Sequence, residues 1–263
     1  MSSIHSLASS LYSYYNSVGA RTGREQRGAL SRPTVAEVFQ YRKHVDAAMQ
    51  ELLLDDLSRE MTELITLGLQ HEQQHQELLL SDLKYIFSCN PLFPLSSAEN
   101  VREEISENGK SDWLEITDGI YSIGLSGTGF CFDNELGRHQ VFLPDCSLAN
   151  KLITNAEYLE FMHDGGYENF NLWHAEGWDW VRQNQIQAPL YWYKIADEWR
   201  QFTLAGLREM KWAAPVCHVS FYEAAAFAEW KQMRLPTEFE WEVAAEKFAW
   251  GLRWQCTGIR LAR

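Results

Sequence analysis

The sequence predicts an α+β protein in two parts, a helical N-terminal region over residues 1–94 and an irregular mixed region over residues 113–263, joined by a polar stretch. Three observations carry this. Apolar residues recur at three- and four-residue spacing through the first part. A run without that period, SSAENVREEISENGKSD, interrupts the chain over residues 95–112. Beyond it, short alternating segments are broken by glycine-rich turns.

The elements follow in order. After the Arg32-Pro33 start signal, VAEVFQYRKHVDAAMQELLL reads as a helix beginning at Thr34. A second, longer helix runs from Asp56 through MTELITLGLQHEQQHQELLLSDLKYIF to Phe87 and stops at Asn90-Pro91. Two antiparallel helices imply a bundle, and only a short helical stretch over residues 3–17 is left to complete it. An N-terminal element is therefore expected to be missing. In the second part, Trp113–Gly124 and His139–Ala149 read as short strands, and Asn155–His163 and Phe221–Lys231 as short helices. The remainder reads as aromatic-rich loop.

Composition bounds the function. The chain has 263 residues, 46% of them hydrophobic and 13% aromatic, enough for sizeable cores and too apolar for disorder. A formal charge of −13 argues against a nucleic-acid partner, because phosphate binding needs a basic surface. No run of 18 apolar residues is present, so no membrane span or membrane partner is expected. MSSIHSLASSLYSYYNS lacks the charged and apolar regions of a signal peptide. The five cysteines are scattered, without a CxxC pair, which fits reduced thiols in a cytoplasmic protein and excludes a cysteine-rich zinc module.

The chemistry concentrates in His71-Glu-Gln-Gln-His75-Gln-Glu77. Four residues turn a helix by about 400°, so His71 and His75 share a face roughly one turn apart and can bind one divalent metal. Imidazole suits iron, zinc, copper and nickel, so the spacing does not choose the metal. Three readings stand: a solvated polar helix face; a zinc hydrolase, since HEQQH satisfies H-E-x-x-H with Glu72 as general base; and an iron site with Glu77 orienting a ring. Upstream, Arg21, Arg24, Arg27 and Arg32 crowd twelve residues of an acidic chain. Arginine grips carboxylates bidentately, so this loop suits an amino-acid or dipeptide substrate, with simple surface solubility the alternative. Cys217 beside His218 reads as packing before it reads as a nucleophile or copper site. The aromatic run Trp173–Trp180, with Tyr191-Trp-Tyr193, reads as core packing before it reads as a cation–π box for a trimethylammonium group.

YYNSVGARTGREQRGALSRPTVAEVFQYRKHVD and LGLQHEQQHQELLLSDLKY resemble the DinB-like bundle of ergothioneine sulfoxide synthases. FCFDNELGRHQVFL, NAEYLEFMHDGGY, LWHAEGWDW, PVCHVSFYEAAAFAEW and RLPTEFEWEVAA resemble the formylglycine-generating-enzyme-like domain of the same proteins, a C-type-lectin-like fold. The pieces follow the family's order over nearly the whole chain. The resemblance implies that Fe(II) and O2 join the thiol of cysteine or γ-glutamylcysteine to C2 of Nα-trimethylhistidine, as a sulfoxide. It implies His71 and His75 as iron ligands, Gln74 as a contact to the substrate imidazole, and Arg24 and Arg27 as the pair holding the sulfur donor's carboxylates. The family's third ligand lies in a WHxxHTTWFFE-like segment that this sequence lacks, and neither His5 nor His44 sits in a matching context. The family also continues past WEVAA to loops with a catalytic tyrosine, whereas here Trp254-Gln-Cys256 leads directly to Arg263, so no catalytic residue is assigned. The expectation is a chain truncated at both ends, with C–S bond formation as its ancestral activity. Its rivals are the zinc hydrolase and a lectin-like binding module that has lost catalysis.

Overall fold

A computed structural model describes residues 33–96, 113–127, 129–247, 259, 261 and 262. The chain forms two compact units, residues 1–70 and 71–263. Most of the polar stretch lies outside the described residues.

In the first unit, helix α1 (Val35–Leu52) starts where the sequence places its cap. The Thr34 hydroxyl accepts from the Glu37 N–H, and the Glu37 carboxylate accepts in return from the Thr34 N–H at 2.8 Å. This reciprocal pairing satisfies two donors that a helix start leaves open. Helix α2 (Arg59–Ser88) begins in this unit and continues into the second. Met49 and Leu52 of α1, with Met61, Leu64, Ile65, Gly68 and Leu69 of α2, line an apolar cavity of about 380 Å³. Neither helix contains a buried residue. The described residues of this unit show these two helices, and the stretch over residues 3–17 expected to add to the bundle lies outside them.

Among the described residues the second unit is built on three antiparallel sheets. Strand β1 (Trp113–Ile116) pairs with β4 (Cys146–Ala149), and β2 (Gly119–Ile123) with β3 (His139–Leu143). A meander follows, β5 (Trp192–Ile195), β6 (Glu198–Thr203) and β7 (Gly206–Glu209). Four helices join them: α3 (Asn155–His163), α4 (Ala175–Asn184), α5 (Phe221–Trp230) and α6 (Glu238–Lys247). Thr154, Ser220 and Thr237 each cap a helix whose third residue is Glu157, Glu223 or Glu240, repeating the reciprocal pairing of α1. The main core gathers Tyr158 and Phe161 of α3, Phe227 of α5, Val216 and Trp192. A smaller core joins the β1–β4 strands to Val243 and Ala244 of α6.

Two regions depart from the sequence reading. The stretch read as aromatic-rich loop holds α4, the meander and α6. The β5–β6 turn uses Ala196 and Asp197, both left-handed at φ 48° and 65°, where glycine or asparagine would have signalled a hairpin. The C-terminal tail, read as aberrant, enters the cores: Ile259, Leu261 and Ala262 are buried. The Ile153 N–H donates to the Ile259 carbonyl, and Ala262 bridges both Leu148 and Arg234.

Candidate functional site

Helix α2 carries the histidine pair on continuous helical backbone, and one turn separates the two residues. The rings of His71 and His75 lie 4.6 Å apart between centroids and meet edge to face at 78°. Both are exposed, as is Gln74 between them. Two imidazoles so placed can close on one metal ion through their ring nitrogens, and Gln74 presents an amide beside them that both donates and accepts. Glu77 stands two positions beyond His75 and six beyond His71, which puts it across the helix from both rings. It is therefore misplaced to orient either ring from its own helix. Among the described residues no group of three or more His, Cys, Asp or Glu converges as a metal site. The pair thus fits a metal as two ligands of a larger set. Arg24, Arg27 and His5 lie outside the described residues, and His44 is exposed on α1.

The far end of the same helix meets the second unit's mixed domain. Lys84 Nζ lies 2.8 Å from His218 Nε2 and 4.5 Å from the centroid of the Tyr191 ring, which itself meets the His218 ring edge to face at 4.7 Å. Desolvation of the ring and the adjacent Lys84 ammonium lower His218 to about 4, although the residue as a whole keeps solvent contact. The imidazole is therefore neutral near pH 7 and accepts from Lys84. One turn on, the Tyr193 hydroxyl donates to the Ser88 carbonyl at 3.3 Å. Sequence reasoning missed this cluster, because Lys84 and His218 are 134 positions apart and no spacing links them.

The other candidates resolve into packing. Trp173 is buried and its indole donates to the Gly166 carbonyl at 2.8 Å, while Trp178 and Trp180 pack against the main core. Cys217 is half-buried, with its thiol 3.5 Å from the Pro215 carbonyl. Burial, reinforced by the Glu240 carboxylate, raises the Cys146 thiol to about 11, which keeps it protonated and unreactive. No helix among the described residues is long and apolar enough to cross a membrane.

Comparison with known proteins adds a family. The sulfatase-modifying factor enzyme 1-like domain matches residues 100–258. The chain is 31% identical over 203 residues to hercynine oxygenase of Mycolicibacterium thermoresistibile, covering 75% of this chain and 44% of that protein. It is 36% identical over 200 residues to the hercynine oxygenase of Mycolicibacterium smegmatis, covering 70% and 44%. It is also 31% identical over 170 residues to a formylglycine-generating enzyme of Streptomyces coelicolor, covering 54% and 53%. The chain spans less than half the length of the two hercynine oxygenases. A stretch holding 75% of this chain cannot fit downstream of residue 100, so the similarity to the first of them reaches back into helix α2 and takes in His71 and His75.

Proposed function

The chain belongs to the family of sulfatase-modifying factor enzyme 1-like domains, and on that premise we propose that it serves an iron(II)- and O2-dependent sulfoxide synthase of ergothioneine biosynthesis. The observation that carries the reading is the His71–His75 pair on one turn of α2, in a stretch similar to a hercynine oxygenase and continuous with the family domain. Hercynine is Nα-trimethylhistidine, an imidazole bearing a quaternary ammonium and a carboxylate.

In this reading His71 and His75 would hold the iron as two of its ligands, as members of a larger donor set. Bound iron(II) supplies the one-electron chemistry that O2 requires. The residues of the chain do the rest. Gln74, between the ligands, holds the hercynine imidazole by its side-chain amide and so presents C2 to the sulfur. Arg24 and Arg27 grip the carboxylates of cysteine or γ-glutamylcysteine and orient its thiol. The overall step balances: a C2–H and an S–H bond break, a C–S and an S–O bond form, and the second oxygen atom of O2 leaves as water with the two hydrogens. The chain's excess of negative charge makes the arginine cluster the natural place for these carboxylates.

The test is an aerobic incubation of the Fe(II)-loaded protein with Nα-trimethylhistidine and either thiol under 18O2, read by mass spectrometry. The reading expects a sulfoxide carrying one labelled oxygen, and its loss in His71→Ala/His75→Ala. Product formation that survives the double variant overturns it. The zinc-hydrolase alternative is separated by Glu72→Gln, which abolishes hydrolysis if Glu72 is a general base and leaves sulfoxide formation unchanged.

A further inference from the structure

We propose that Lys84 and His218 form a pin that fixes the rotation and axial register of helix α2 on the sulfatase-modifying-factor-like domain, making both positioning residues for the His71–Gln74–His75 face. The proposal rests on the functional reading above only for what that face does; the pin itself stands on geometry.

A single contact fixes neither the rotation nor the register of a helix, but a side-chain contact that sets its facing and, one turn on, a bond to a terminal main-chain carbonyl that sets its height together constrain both. Lys84 and Ser88 are such a pair. The Lys84 ammonium donates to His218 Nε2 at 2.8 Å, and the Ser88 carbonyl accepts from the Tyr193 hydroxyl at 3.3 Å. Nine residues separate His75 from Lys84, about 180° of rotation and roughly 13.5 Å along the axis. The grip is therefore on the face opposite the imidazoles, and it holds that side of the helix while leaving the histidine pair exposed.

The receptor for Lys84 is built with strained backbone. Tyr191 and His218, which both touch its ammonium, are left-handed, at φ 73° and 61°. Side chains rarely adopt this region, and it persists only where surrounding bonds enforce it. Here the Phe202 N–H donates to the Tyr191 carbonyl, tying it to β6, and the Leu190 N–H donates to the His218 carbonyl, tying it to the residue before Tyr191. Just after the helix, Phe93 is also left-handed, at φ 45°, and its ring packs on Tyr193 at 4.8 Å and Phe202 at 5.7 Å. Three left-handed side-chain-bearing residues thus converge where α2 ends.

The test measures position, not activity. Spin labels at Gln76 of α2 and Gln183 of α4, in full-length protein whose other accessible cysteines are serine, report the helix-to-domain distance by pulsed dipolar spectroscopy without any metal. The parent is expected to give one narrow distribution. Lys84→Met and His218→Phe should each move or broaden it by roughly 3 Å or more, about half a helical turn, with the fold retained by circular dichroism. Lys84→Arg, which keeps a cation over Tyr191 and a donor toward His218, should restore it. Distributions in Lys84→Met and His218→Phe that match the parent overturn the pin. If either variant does not fold, Tyr193→Phe decides, since it removes only the hydroxyl on Ser88: a broadened distribution supports the pin and a parental one overturns it. A parent that binds no iron yet shows a narrow distribution that broadens in the variants removes the metal reading and leaves the pin standing.

Discussion

Glu240 is buried at the start of α6, and burial alone would favour its neutral form. The Arg234 guanidinium, donating two parallel bonds at 2.6 and 2.7 Å, and the Thr237 N–H overcome that and hold the carboxyl at about 2. Its depressed value contributes stability that is present above pH 4.5 and is lost as pH falls through 2. Replacing Glu240 with Gln should cost about 2 kcal/mol in urea unfolding at neutral pH and flatten the acid limb of the stability curve. His218 acts in the neighbouring window. Its pKa, lowered from 6.5 to about 4, makes the unfolded chain bind more protons between those values, so folding stability rises from pH 4 to pH 6.5. His218→Gln should remove that slope, and an unchanged pH profile would show that desolvation and Lys84 do not lower the ring in the folded chain. The sequence made the first of these legible, because Arg234-Leu-Pro-Thr-Glu-Phe-Glu240 places both partners within one motif. It gave no sign of the second, whose partners meet only through the fold.

Helices show the same division. Those of the second unit that begin at Thr154 and Ser220 were legible from a capping residue with glutamate three positions on, a signal that depends on no distant contact. The meander was not, since its hairpin turn uses residues that ordinarily avoid a positive φ. Helix α4 was hidden by its packing: it carries Gly177 against α5, where an added Cβ would meet the Tyr222 side chain at 2.6 Å, and two tryptophans that blur its apolar period. Gly177→Ala should therefore destabilise the second unit by about 1–3 kcal/mol, the ordinary cost of overpacking. Gly68 of α2 is the contrast, with nothing within 4 Å of an added Cβ. Gly68→Ala should raise helix stability by about 0.5–1 kcal/mol. Thermal melts of the two variants test the pair, and a destabilising Gly68→Ala would mean that this face of α2 is packed.

At the scale of the molecule, burial among the described residues is concentrated in the second unit, while the helices of the first expose Val35, Phe39, Leu64 and Leu67. Scattered apolar residues are ordinary on surfaces, but so many on one helix pair favour association. Sedimentation of the purified chain should show concentration-dependent self-association that weakens in Phe39→Ser/Leu64→Ser. At this scale the histidine pair was legible because a four-residue interval becomes a shared face on any helix. A complete metal site was not legible, because the spacing names only two imidazoles, and the described residues bring no third ligand to them. The measurement that bears most directly on the central claim is therefore an anaerobic Fe(II) titration of the protein and of His71→Ala/His75→Ala. Stoichiometric binding that disappears in the double variant is the predicted result. Binding of equal strength in both, or none in the parent, would contradict an iron centre on this helix.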